Sequence, residues 1–279
     1  MAMISLREAC RLLVRMPLLW IPGIAGGLFA AILWLILMFS GAFFAGRLIV
    51  IVALVLLFFI TGTLALIKND GGDLRSFLGM GRQYYFRVLL PQLVILFMIL
   101  LVFVLVILTL TLIGITPEPA LLVFLTFGVM IPGILLTFFA DTAVVFEDKR
   151  VFDSIQRSVE MVSVNLSRVI AFFVVCAVVV LSVLFFLMIV WEALLYTRLE
   201  PITRYTEAQL QAFTPEQLLA LIGTDGIWVT AVIVFIAGLV LIPLILSYKA
   251  CFFRNLAGNT VVIQQVVGEY DSKGRWYKY

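Results

Sequence analysis

The sequence has 279 residues, of which 64% are hydrophobic and 13% charged, with a formal net charge of +3 and a mean hydropathy of +1.21. This composition lies outside the range of soluble domains and indicates an integral membrane protein. The chain contains no histidine, so the commonest general base and the commonest zinc ligand are both excluded.

Six apolar segments are each long enough to cross a hydrocarbon core of about 30 Å, which takes roughly 20 helical residues. They are approximately residues 18–40, 48–67, 88–113, 120–140, 169–190 and 227–247. Their apolar runs are continuous rather than alternating, which favours helices over a β-barrel. The sequence therefore predicts an all-α integral membrane fold with six transmembrane helices.

The distribution of basic residues predicts the orientation, because Lys and Arg stay on the cytoplasmic side of short loops. With the N-terminus inside, the outer segments hold only Arg47, Arg198 and Arg204 of the 19 Lys and Arg residues. Both termini are therefore predicted to be cytoplasmic, in a multi-pass protein of the cell (plasma) membrane. The first apolar segment is longer than a signal-peptide core and is expected to be retained.

The N-terminal segment carries Ser5-Leu6-Arg7-Glu8, a capping-box pattern that predicts a helix beginning near Ser5. Arg7, Arg11 and Arg15 recur every fourth residue, which indicates contact with anionic headgroups; charge that only sets the topology is the alternative. Pro22 then predicts a break near the inner end of the first span.

A second amphipathic helix is predicted to begin at Asp73, which can cap it, and to divide into two pieces at Gly79 and Gly81. Its polar side carries Arg75, Arg82 and Arg87. Further along, Pro132 predicts a break in the fourth span. Close helix packing and a broken transporter helix are the two interpretations of that break.

A third two-faced helix lies between the fourth and fifth spans, in residues 138–168. Its apolar face is predicted to consist of Val151, Ile155, Val159, Val162 and Leu166, with Arg157 on the polar face. Such a helix fits the headgroup layer, and a loop helix packed on the end of the bundle is the alternative. Arg168 follows where the fifth span begins.

Asp141 and Lys249 lie at the inner ends of the fourth and sixth spans, within reach of water, and are predicted to form an interfacial ion pair. Pro243 predicts a break in the sixth span. No ionisable residue is predicted at mid-bilayer, which disfavours transport coupled through carboxylates. The sequence predicts no catalytic, metal or cofactor site, and the three cysteines lack metal-ligand spacing.

The membrane domain, residues 1–254, is predicted to contain three parallel repeats, residues 1–72, 73–150 and 151–254. Each repeat consists of a cytoplasmic interfacial helix followed by a hairpin of two spans. Residues 255–279 form a cytoplasmic tail, in which VVIQQVVGEY, DSKG and RWYKY predict a short β-hairpin. Contact of this tail with the membrane surface is favoured over contact with nucleic acid.

Residues 141–147 (DTAVVFE), residues 154–158 (SIQRS) and Asn165 resemble a group of archaeal and bacterial six-span integral membrane proteins. The group includes the membrane domain of certain glycerophosphoryl diester phosphodiesterases. The resemblance implies a six-span architecture. It carries over no catalytic role, because those enzymes use a separate barrel with histidines and acidic metal ligands.

The predicted function is non-catalytic: the organisation of lipid, or of a membrane-bound partner, at the inner leaflet. The expected ligands are anionic headgroups, bound by Arg7, Arg11, Arg15, Arg75, Arg82, Arg87, Arg157 and Arg168. The first alternative is a permease or channel for a weakly charged solute, with a path between the fourth and sixth spans. The second is an accessory subunit of a lipid-processing enzyme.

Overall fold

The computed structural model describes residues 1–114, 118–211 and 213–265, and all regular secondary structure in these ranges is helical. In these ranges, six helical segments are long and apolar enough to cross a membrane. They are Pro17–Ser40, Ala42–Lys68, Leu74–Leu112, Ala120–Phe146, Leu166–Leu194 and Pro215–Gly258. The prediction of an all-helical fold with six such segments is confirmed. These helices are consistent with a multi-pass membrane protein.

Residues 1–114 form four helices. They are α1 (Ala2–Arg15), α2 (Ile21–Ser40), α3 (Ala42–Lys68) and α4 (Leu74–Leu112). A 3-10 turn, Pro17–Trp20, separates α1 from α2, and Pro22 lies in the first turn of α2. Gly41 is the single residue between α2 and α3, and its φ of +85° lies in the left-handed region that favours glycine.

The described residues from 118 to 265 contain seven more helices, some of them very short. They are α5 (Pro119–Thr137), α6 (Ala140–Phe146), α7 (Val151–Val164), α8 (Leu166–Leu194), α9 (Tyr196–Leu199), α10 (Glu207–Gln211) and α11 (Pro215–Gln265). A 3-10 turn, Glu200–Arg204, lies between α9 and α10. Within α11 the backbone departs from helical geometry at Gly223.

The second predicted interfacial helix is not a separate element. α4 runs for 39 residues without interruption, so the expected division at Gly79 and Gly81 is wrong. One glycine costs only about 1 kcal/mol in a helix, less than the cooperativity that holds a long helix together. The Gly81 carbonyl also accepts a hydrogen bond of 3.3 Å from the Thr61 hydroxyl. Because the second interfacial helix is part of α4, the structure does not confirm the three-repeat arrangement, which stays a prediction.

The N-terminal helix begins at Ala2, three residues before the predicted start. Ser5 is fully buried inside it, and its hydroxyl accepts a hydrogen bond of 3.0 Å from the Asn255 amide. Glu8 accepts a second bond from Asn255 and forms an ion pair with Arg254. The residues that resemble a capping box are thus used to pack α1 against α11.

The predicted C-terminal hairpin is wrong for the first five residues of its first strand. Residues 261–265, expected in the first strand, form the end of α11. The preceding helix is long, and extending an existing helix requires no new nucleation. The rest of the predicted hairpin, residues 266–279, lies outside the described residues.

The chain divides into two compact units. The first comprises Met1–Cys10, Thr61–Phe172 and the described residues from Ser247 to Gln265. Its core is aromatic: Phe139, Phe172, Tyr248 and Phe252 are almost completely buried. The rings of Phe172 and Tyr248 stack with a centroid distance of 4.4 Å.

The second unit comprises Arg11–Ile60 and Phe173–Leu246, and it contains a contact between the backbones of α2 and α11. A Cβ atom on Gly23 would lie 2.4 Å from the Leu239 carbonyl oxygen, and one on Gly27 would lie 2.5 Å from that of Phe235. Small residues four positions apart permit such close approach of helices in lipid. The sequence carries this signal as Gly23-x-x-x-Gly27, which was not among the predicted features.

Candidate functional site

The break between α5 and α6 is bridged by a serine of α7. α5 ends at Thr137 and α6 begins at Ala140. The Ser158 hydroxyl donates to the Leu136 carbonyl at 2.7 Å and accepts from the Phe139 N–H at 3.0 Å. Ser158 is fully buried, so these bonds dock α7 against the break. Sequence periodicity gave no signal for this role, because serine counts as polar.

Replacing Ser158 with alanine should destabilise the protein by about 1–3 kcal/mol, because it removes the partner of two backbone groups at a buried site. Denaturant unfolding in detergent micelles measures the change. Ser163→Ala is the matched control, since Ser163 lies exposed on the same helix. Equal stability of the two variants would show that the Ser158 bonds contribute nothing.

The structure brings Asp141 and Lys249 together. The Lys249 Nζ atom lies 2.7 Å from each carboxylate oxygen of Asp141 and 4.2 Å from the centre of the Phe138 ring. The Asp141 Oδ1 atom also accepts the Thr142 N–H at 2.7 Å. The two side chains are only 8% and 10% exposed, so the expectation that water reaches the pair is wrong. Burial follows from the aromatic core around α6.

A second charged cluster holds the turn between α6 and α7. The Lys68 ammonium lies 2.5 Å from Asp148 Oδ2, and the Tyr84 hydroxyl donates to Asp148 Oδ1 at 2.9 Å. Arg87 donates to the Asp148 carbonyl oxygen at 3.0 Å. The hydrogen bond from Lys68 is the main reason why the pKa of Asp148 lies below its ordinary value. Arg87, a predicted headgroup ligand, is thus engaged within the protein.

The amphipathic helix α7 is rotated relative to its prediction. Its fully buried positions are Ser154, Ser158, Met161 and Val162. Arg157, expected on the polar face, is 11% exposed, and its Nε atom lies 3.1 Å from both Glu147 carboxylate oxygens. The two serines can be buried because each donates a hydrogen bond to a backbone carbonyl.

The eight predicted headgroup arginines fall into two groups. Three have partners in the protein: Arg87, Arg157, and Arg168, which donates to the Asn165 side chain at 3.2 Å. The other five are exposed and have no polar side-chain contact among the described residues. They are Arg7, Arg11, Arg15, Arg75 and Arg82.

Two of the three predicted helix breaks are absent at the residues expected. α5 continues through Pro132 and α11 through Pro243. Membrane helices tolerate proline where neighbouring groups satisfy the freed backbone. In the second unit the Pro243 ring also fills the space beside Gly23. The third proline, Pro22, coincides with the change from the 3-10 turn to α2.

An apolar groove of about 480 Å³ lies in the first unit, between α4 and α5, with α7 along it. Its wall includes Met98, Gly128, Pro132 and Phe152. Among the described residues of the wall, only Thr137 has a polar side chain, and its hydroxyl donates to the Gly133 carbonyl at 2.6 Å. The groove is therefore suited to an apolar guest.

The described part of the chain contains no cluster of side chains that could bind a metal ion. There, no group of three or more Cys, Asp or Glu side chains is placed to hold a metal ion. The polar clusters described above are ion pairs and backbone hydrogen bonds that join helices. The candidate functional features are thus the five free arginines and the apolar groove.

Comparison with known proteins identifies a family for this chain but no individual relative. Neither the curated proteins nor the solved structures gave a match. A family model described as a domain of unknown function (DUF7847) matches residues 1–256. Because this match covers nearly the whole sequence, the chain belongs to the DUF7847 family.

Proposed function

We propose that this protein is non-catalytic and organises anionic lipids at the cytoplasmic leaflet of the plasma membrane. The observation that carries the proposal is the set of five exposed arginines on α1 and α4, described above. Exposed apolar side chains lie among them. These are Met3, Ile4 and Val14 on α1, and Leu74, Leu78 and Phe86 on α4.

This mixture of arginine and exposed apolar residues is typical of helices in a headgroup layer. A basic residue near an anionic leaflet contributes about 1 kcal/mol, an attraction that is screened within about 10 Å at 0.1 M salt. The guanidinium group also matches the bidentate geometry of a phosphate. The role of an accessory subunit of a lipid-processing enzyme stays a prediction.

The test is the lipid composition around the purified protein. In discs cut from membranes of phosphatidylglycerol and phosphatidylcholine, the protein should be enriched in phosphatidylglycerol relative to the bulk. The triple variant Arg7→Gln, Arg11→Gln, Arg15→Gln should lose most of that enrichment. Raising the salt concentration should weaken it in the wild-type protein.

The matched control is Arg47→Gln, Arg198→Gln, Arg204→Gln, which removes the same number of charges from the predicted outer segments. Its enrichment should equal that of the wild type. Equal losses in both triple variants, or no enrichment in the wild type, would contradict the proposal. Flux of a small solute into liposomes carrying the protein, above that of empty liposomes, would instead favour the permease.

A further inference from the structure

The apolar groove of the first unit is a second lipid-facing feature, separate from the arginines of α1 and α4. α4 contributes residues 94–102, which span about 12 Å along the helix axis. α5 contributes residues 128–137, and α7 contributes Phe152, Ile155 and Val159. A volume of about 480 Å³ lies within the usual range for ligand pockets. The long, apolar shape favours a hydrocarbon chain over a compact solute.

Unpaired positive charge lies next to this groove. Lys149 and Arg150 immediately precede α7, whose second residue, Phe152, forms part of the wall. Both cations are exposed, and neither side chain has a polar contact among the described residues.

The acids on the same turn do not neutralise these cations. Glu147 is paired with Arg157, and Asp148 is paired with Lys68 and Arg87. Asp153, the third residue of α7, is an exposed acid, and Glu160 is another exposed acid about two turns further along the helix. The turn therefore offers a net positive charge beside an apolar groove, which complements a phosphate attached to a hydrocarbon chain.

We propose that the groove holds one acyl chain of an anionic glycerophospholipid, with its phosphate at Lys149 and Arg150. The inference rests on the proposed function in that both involve anionic lipid, but it uses different residues. Van der Waals packing of the acyl chain against the groove wall stabilises the complex, because the chain is already in an apolar medium before it binds. The choice among headgroups comes from the two cations.

Native mass spectrometry of the full-length protein tests the groove. Detergent-solubilised protein mixed with equal amounts of phosphatidylglycerol and phosphatidylcholine should retain one phosphatidylglycerol molecule. Gly128→Phe should abolish this retention by filling the groove, since a Cβ at Gly128 meets no atom within 4 Å. Gly46→Phe is the matched control, because Gly46 has equally open surroundings and lies outside the groove, and it should retain the lipid.

The double variant Lys149→Gln, Arg150→Gln tests the headgroup contact without changing the groove. It should still retain one lipid, with its preference for phosphatidylglycerol reduced about tenfold or more. Asp153→Asn should raise that preference. Retention by Gly128→Phe equal to that of the wild type, or an unchanged preference in the double variant, would overturn the inference.

The same spectra separate the two proposals. The triple arginine variant of α1 should keep the single retained lipid even if the enrichment in discs is lost. Loss of the retained lipid in that variant would show that the groove is not an independent site.

Discussion

Replacing Lys249 with methionine should lower the free energy of unfolding by about 3–5 kcal/mol, because it leaves the Asp141 carboxylate buried without its partner. The two side chains are 8% and 10% exposed, so water cannot take the place of the ammonium group without a rearrangement. The cation also lies over the Phe138 ring, an interaction that methionine replaces only in part. Denaturant unfolding in detergent micelles measures the loss.

Two further variants separate burial from charge as the cause. The double variant Asp141→Leu, Lys249→Met should recover most of the lost stability, because an apolar pair of similar size carries no desolvation penalty. Asp225→Asn breaks an exposed ion pair, in which the Arg198 side chain is 53% exposed and the Asp225 side chain 79% exposed. This change should cost less than about 1 kcal/mol. Equal costs for Lys249→Met and Asp225→Asn would refute the structural role of the buried pair.

Replacing Gly27 with leucine should prevent the contact between α2 and α11 and cost at least about 3 kcal/mol. The new Cβ would lie 2.5 Å from the Phe235 carbonyl oxygen and 3.0 Å from the Leu239 nitrogen. Both atoms belong to the backbone of a helix, which cannot move aside as a flexible side chain can. Overpacking of a core usually costs 1–3 kcal/mol, and contact with backbone is at the upper end or beyond.

The control for this variant is Gly46→Leu, on α3. A Cβ at Gly46 meets no atom within 4 Å, so this change should leave stability within about 1 kcal/mol of the wild type. Gly27→Ala should give an intermediate loss, because it adds the clashing Cβ without the rest of the side chain. The yield of monodisperse protein and the midpoint of unfolding measure the stability of all three variants. A fully stable Gly27→Leu would mean that the helices are not in backbone contact.

The six spans and the Asp141–Lys249 pair could be predicted because both depend on where the apolar runs of the sequence begin and end. The length of an apolar run determines whether a segment can cross a bilayer. The ends of the runs then place Asp141 and Lys249 at a common level. The burial of the pair was not predictable in the same way, because it depends on which aromatic rings of other helices surround it.

The missed features share a different cause: they depend on partners far away in sequence. Ser5 matches the capping box whether its hydroxyl bonds to its own helix or to Asn255, so the pattern does not distinguish the two. Ser158 was predicted on neither face of its helix, because its partners are backbone groups about 20 residues earlier. Likewise, the charge pattern identified Arg87 and Arg157 as basic but could not show that Asp148 and Glu147 engage them.

The single residue between α2 and α3 has a consequence for how these two helices can move. Since only Gly41 separates Ser40 from Ala42, the end of α2 and the start of α3 cannot be displaced independently. A shift of α2 along its axis therefore has to carry the first turn of α3 with it.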